Sequence, residues 1–158
     1  MDRLRVARPD QWAAGGNGPA VIVEPVRGAM RLASVDADGL AIGLLPAMTL
    51  ADARAREPDL RVFDAQPHAD QDWLERLCDG CGRYTPNAAL DGPDGLMLDI
   101  SGRDHLWGGE EALARDAADR LERYGMRVRH AIAASPEAAH ALARFPVPPA
   151  PDEAATIR

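Results

Sequence analysis

Lysine is missing from this chain: all 18 of its basic residues are arginine. That removes lysine as a phosphate ligand, a Schiff-base former and a general base. Long hydrophobic runs are missing too. No apolar stretch approaches the roughly 20 residues needed to span a bilayer, and the opening "MDRLRVARPD" lacks a signal-peptide core. A cytoplasmic location is therefore expected. Positive charge is in deficit, with a formal net charge of −7. This disfavours independent tight binding to a phosphate backbone, which relies on basic side chains displacing counterions. Cysteine is nearly absent as well. The only two, Cys78 and Cys81, form "CDGC". Two thiols cannot complete a tetrahedral zinc site, and a thioredoxin-type motif needs a βαβ setting. The pair instead falls inside an apparent helix and reads as small residues on it.

What is present describes a folded α/β chain. Its 158 residues, 46 % hydrophobic and 27 % charged, suit one domain or a small pair with a real core. "PAVIVEPV" and "AMRLASVD" read as strands around a turn at Arg27–Gly28. "DADGLAIGLL" reads as a short helix, and "TLADARARE" as a helix opened by a Thr49–Asp52 capping pattern and stopped by Pro58. "LRVFDA" reads as a strand, and "HADQDWLERLCDGCGRYT" as a helix. "AALDG" and "GLMLDIS" read as strands joined around Pro93–Asp94–Gly95. In "EEALARDAADRLERY", Leu113, Ala117 and Leu121 repeat every four residues, with Glu110 and Glu111 at the positive end of the helix dipole. "RVRHAIAA" reads as a strand. "SPEAAHALARF" reads as a helix with Ser135 as N-cap and Pro136 in its first turn, and residues 146–158 as a Pro-rich tail.

From Pro67 the order is helix, strand, strand, helix, strand, helix. One strand placed in front makes it β-α-β-β-α-β, the split βαβ or ferredoxin-like arrangement of an α/β (α+β) fold. That fold hosts many functions and names none.

The residues themselves resemble a family. "GAMRLASVDADGLAIGLLPAMTLADARAREPDLRVFDAQP" followed by "DGPDGLMLDISGRDHLWGGEEAL" is similar to the N-terminal half of Y-family DNA polymerases. Within them it is most similar to the ImuB-type, polymerase-like members of bacterial mutagenesis cassettes. The resemblance covers about residues 19–145 and is most specific from Pro86 to Gly109. It implies a small fingers subdomain over residues 12–67 and a palm over 68–145. It also implies that active relatives hold two Mg²⁺ ions with an Asp from the first palm strand and an adjacent Asp-Glu pair from the palm hairpin. That pair falls on Asp94 and Gly95, so the Glu position is a glycine. "MDRL" would lie just after the first palm strand, which leaves its Asp unmatched. Active relatives also set a Tyr and an Arg from the fingers against the incoming triphosphate; the matching positions are Ala37 and Leu40. The Lys of the last palm helix has no counterpart in "AASPEAA".

The expectation is a non-catalytic polymerase fold with no cofactor, a structural and weakly DNA-associated scaffold in damage-induced mutagenesis and translesion synthesis. The alternative is a metal-dependent nucleotidyltransferase with residual activity. The resemblance implies further partners, a sliding clamp, a RecA-like cassette partner and an error-prone replicative-type polymerase, met mainly through regions downstream of this one.

Plain structural readings exist for the remaining conspicuous residues. Pro93–Asp94–Gly95 is ordinary turn chemistry, and Asp91 reads as another turn residue. Asp99, five residues beyond Asp94, does not restore the site. His105 and Trp107 are expected to pack a loop against a sheet. Arg127 and Arg129, before His130, are expected on a solvated strand face, with no aromatic platform between them. Finally, "RLRVAR" alternates Leu4 and Val6 with Arg3 and Arg5, so residues 1–11 are a candidate substitute for the first palm strand.

Overall fold

The computed structural model describes residues 1–14 and 16–145. The expected Pro-rich tail over 146–158 lies outside the described residues. The chain divides into two compact units, Met1–Gln71 and the part from Asp72 onward.

The first unit opens with two short helices, α1 (Asp2–Ala7) and α2 (Pro9–Ala14). The strand expected from "RLRVAR" is therefore not formed. In a strand, consecutive side chains face opposite ways. Here Arg3 and Leu4 are both buried, and the Arg3 guanidinium pairs with Asp70 and donates to Gln66. Helical turns close instead, from the Arg5 N–H to the Met1 carbonyl and from Arg8 to Leu4.

β1 (Ala20–Val26) and β2 (Ala29–Val35) form an antiparallel hairpin. Its two-residue turn has both central residues at positive φ, Arg27 at 50° and Gly28 at 81°, as the right-handed twist of the strands requires. After α3 (Ala37–Ala41) and α4 (Leu50–Arg56), β3 (Arg61–Asp64) pairs parallel with β1, giving the order β2-β1-β3. β1 is central, and Ala20 to Val23 are all buried, as a strand covered on both faces must be. Val21, Val23, Leu32, Leu44 and Ala53 make an aliphatic core. Both helix caps are side-chain oxygens: Asp36 accepts from Gly39, and Thr49 from Asp52 as expected.

α5 (Pro67–Gly80) carries the chain from one unit into the next and ends in a 3₁₀ turn, Cys81–Arg83. β4 (Ala88–Asp91) and β5 (Gly95–Leu98) form an antiparallel hairpin; a second 3₁₀ turn, Asp104–Leu106, leads to α6 (Glu110–Arg123). α7 (Pro136–Arg144) starts on Ser135 and Pro136 as expected. The core joins Cys81, Tyr84 and Leu113, with Leu96, Leu98 and Trp107 packed against them.

"RVRHAIAA" is not a strand: residues 127–134 join neither sheet. Strand status needs a backbone partner, and residues 127–134 form no ladder with either strand of the hairpin. The mixed α/β order of helices and strands from Pro67 is otherwise kept, with its ladder confined among the described residues to one hairpin.

Candidate functional site

Asp94 ends the three-residue turn between β4 and β5, and Gly95 begins β5 opposite Asp91. No side chain fits at position 95. A Cβ there would lie 2.7 Å from the Asp91 carbonyl oxygen, nearer than real Cβ atoms approach, and a tight 3.3 Å from the Asp91 Cβ. The tight strand pairing thus selects glycine where the resemblance implies a carboxylate.

The Asp94 carboxylate has an unexpected partner. Arg144, the last residue of α7, donates from Nη2 to Asp94 Oδ1 at 2.6 Å and from Nη1 to Oδ2 at 3.2 Å. Its Nη2 also donates to the Asp91 carbonyl at 3.3 Å. One turn earlier, His140 Nδ1 sits 2.7 and 2.9 Å from the two Asp91 carboxylate oxygens. The Arg144 guanidinium, by hydrogen bond and charge, holds the Asp94 carboxyl below the usual carboxylate range and is itself held protonated more firmly. Asp91 is therefore more than a turn residue.

The spacings that permit this arrangement are visible in the sequence, though the pairing itself is not. Positions 140 and 144 are spaced i, i+4 on one helix, so they share a face. Asp91 and Asp94 bracket a turn. Two acids three apart across a hairpin can meet two bases four apart on a helix.

Asp99 stands apart: its carboxylate accepts from the Ser101 N–H at 3.0 Å and is exposed, and the Ser101 hydroxyl and amide lower its pKa. Two-metal phosphoryl transfer needs several carboxylates about the ions, because Mg²⁺ takes hard oxygens in near-octahedral geometry. The hairpin offers two carboxylates, Asp94 bonded to a guanidinium and Asp91 facing His140, and a glycine with no room for the adjacent third. The residues here do not fit a metal pair. Among the described residues no group of three or more His, Cys, Asp or Glu is placed to hold a metal ion.

In the first unit, Ala37 and Leu40 lie on the outer face of α3, with Leu40 49 % exposed. Neither can donate a hydrogen bond from its side chain. Arg61 in that unit was not singled out by sequence. Its guanidinium lies 4.5 Å from the centre of the Trp12 ring and donates to the Gly18 and Trp12 carbonyls, while Trp12 stacks on Phe63. It ties α2 to the sheet.

In the second unit, Trp107 packs as expected, its ring 4.8 Å from that of Tyr84, whereas His105 is exposed on the 3₁₀ turn. The Tyr84 hydroxyl donates to Asp116 at 2.5 Å. Burial and that bond push the phenol up to about 12. Cys81 is buried in the core and Cys78 half-buried, both as free thiols; burial raises the Cys81 pKa. Arg129 is exposed and donates to the Arg144 carbonyl at 3.3 Å; Arg127 and His130 are exposed too.

No family model matches the chain. Protein ImuB of Caulobacter vibrioides, in two strains, is 54 % identical over 104 residues, which take in 66 % of this chain and 23 % of ImuB. The match thus spans less than a quarter of the length of these curated relatives. Among solved structures, an insertion ternary complex of Dbh DNA polymerase superimposes with a TM-score of 0.73 at 16 % identity, covering 91 % of this chain and 42 % of that one. DinB from Sulfolobus solfataricus gives 0.71 at 17 % identity with the same coverage. A Y-family DNA polymerase chimera gives 0.60 at 13 % identity, over 75 % of this chain and 36 % of its own. In sequence the chain is similar to ImuB, and its fold is the palm-and-fingers fold of the Y-family DNA polymerases.

Proposed function

We propose that this region is a non-catalytic, polymerase-like scaffold of a protein that works in damage-induced mutagenesis and translesion synthesis. The observation that carries the reading is the hairpin itself. The adjacent carboxylate pair that an active relative needs is reduced to Asp94, and the Asp91 carbonyl leaves no space for a side chain at Gly95. The similarity to ImuB and the Y-family fold support the biological setting. Ala37 and Leu40 support the same conclusion for the nucleotide, since neither side chain can bind a triphosphate.

On this reading residues 12–67 act as the fingers-like part and residues 68–145 as the palm-like part. DNA is a weak partner of the region alone. Any engagement of the clamp, the RecA-like partner and the error-prone polymerase runs mainly through regions not among these 158 residues, in the cytoplasm. No helix among the described residues is long and apolar enough to cross a membrane.

Primer extension with Mg²⁺ or Mn²⁺ tests the reading. No incorporation above background is expected, and incorporation that Asp94→Ala abolishes would establish the residual nucleotidyltransferase instead. An anisotropy titration with primer-template DNA should show weak binding that fades steeply with salt, because phosphate contacts release counterions. Nanomolar, salt-insensitive binding would contradict the weak-partner reading.

A further inference from the structure

We propose that Arg144 is the resident cation of the β4–β5 turn, taking on Asp94 the place that a divalent metal takes on a catalytic carboxylate. The inference rests on the non-catalytic reading and says what stabilises the hairpin in the absence of metal chemistry.

Three contacts from one guanidinium carry it. Both Asp94 oxygens are bonded, at 2.6 and 3.2 Å, and the Asp91 carbonyl receives a third bond at 3.3 Å. The planar fork of arginine matches a carboxylate in a way that a point charge does not. A metal on Asp94 would have to displace this fork. The neighbouring donor is also taken, since the Asp91 carboxylate faces His140 at 2.7 Å.

The titratable and charged groups facing Asp94 are Arg144 and His140 from α7 and Arg129 from the segment before it, with Asp91 as the other acid. Arg129 in turn donates to the Arg144 carbonyl, which fixes the end of α7. Arg144 is a positioning residue in this role. It sets the direction of the Asp94 carboxylate and couples α7 to the turn.

The experiment uses the whole 158-residue chain, isotopically labelled, with Mn²⁺ as the probe. In the unaltered chain, stoichiometric Mn²⁺ should leave the amide and carboxyl resonances of Asp91 to Gly95 without selective broadening. In Arg144→Gln, selective broadening at Asp94 should emerge, and amide exchange across the turn should quicken about two- to fivefold, the scale of an exposed ion pair. Arg144→Lys should again keep Mn²⁺ away while restoring only part of the exchange protection, because an ammonium lacks the planar fork that meets both carboxylate oxygens. Selective broadening at Asp94 in the unaltered chain overturns the proposal. So does an Arg144→Gln chain with quicker exchange but no Mn²⁺ effect, which would make Arg144 a strut only. Should Arg144→Gln fail to fold by circular dichroism, Asp94→Asn carries the test through quicker exchange at the turn, and unchanged exchange there refutes it. Primer extension separates the two readings: incorporation strikes the non-catalytic one, and Mn²⁺ at Asp94 without incorporation strikes this one alone.

Discussion

The two units of this chain are held together by different physics. In the first, three strands and two helices enclose Val21, Val23, Leu32, Leu44 and Ala53, all at or near complete burial. In the second, the sheet is a single hairpin, and a two-stranded sheet is marginal by itself. Its apolar strand residues Leu96 and Leu98 are only partly buried. Polar and aromatic contacts make up the difference: Tyr84 on Asp116, Trp107 on Tyr84, His140 on Asp91 and Arg144 on Asp94. The first unit should therefore respond to lost volume, and the second to lost charge and hydrogen bonds.

The largest effect tests that contrast directly. Leu32→Ala removes a fully buried side chain and should cost about 2–5 kcal/mol. Leu98→Ala, at a half-buried position, should cost roughly half as much. Hydrogen exchange at Val21 and Val23 for the first, and at Leu96 and Met97 for the second, reads each unit by itself. Equal costs would erase the comparison.

Next comes Tyr84. Its phenol is pushed up to about 12 by burial and by Asp116, against about 10 in an unfolded chain. Between those values the folded state holds more protons than the unfolded one, so stability falls as pH rises. The contribution is complete below about pH 10, is lost by about 12, and is on the order of 2–3 kcal/mol. Tyr84→Phe should flatten the alkaline limb of the second unit, measured by denaturant midpoints from pH 9 to 12. A limb unchanged by that substitution would place the alkaline sensitivity elsewhere.

Restoring a carboxylate at position 95 should harm rather than help. Gly95→Glu drives a Cβ against the Asp91 carbonyl, and overpacking of this kind costs roughly 1–3 kcal/mol. The midpoint of the second unit should fall while exchange at Val21 and Val23 holds. A stable variant that incorporates nucleotides would show that the hairpin opens easily, and that its glycine is a choice of chemistry rather than of packing.

How much of this could be read from the residues also divides between the units. The helices and strands of the first unit beyond residue 19 follow from local chemistry, such as the Thr49 cap and the Val21–Ile22–Val23 run, and they formed where expected. Residues 1–7 misled because alternation of Leu4 and Val6 with Arg3 and Arg5 fits a strand over so few positions. Only the distant partners Asp70 and Gln66 decide that Arg3 is buried. Residues 127–134 misled for a related reason: their β pattern is genuine, but a ladder is a property of two segments. At the candidate site, Asp94 and Gly95 were legible as a turn, whereas Arg144 and His140 were read merely as part of a helix. Their partners lie 49 and 50 residues away, a separation that no local pattern encodes.

The smallest expected effect probes that long-range pair. Asp94 has a depressed pKa, so its contribution to stability is present above the unfolded value of about 3.9 and is lost as pH falls through the lower folded value. The pair is open to water, with the Asp94 side chain 64 % exposed and that of Arg144 28 %. Screening therefore keeps the coupling small. A double-mutant cycle of Asp94→Asn and Arg144→Gln, read from denaturant midpoints of the second unit, should show that coupling at pH 6. It should be smaller at about pH 2 than at pH 6, and smaller also in molar salt, where the Debye length falls to about 3 Å. Leu32→Ala, by contrast, should cost the first unit nearly the same at both pH values, because no titrating group lies in its aliphatic core. A coupling that survived acid would mean that Arg144 holds Asp94 through a hydrogen bond to the neutral carboxyl rather than through its charge.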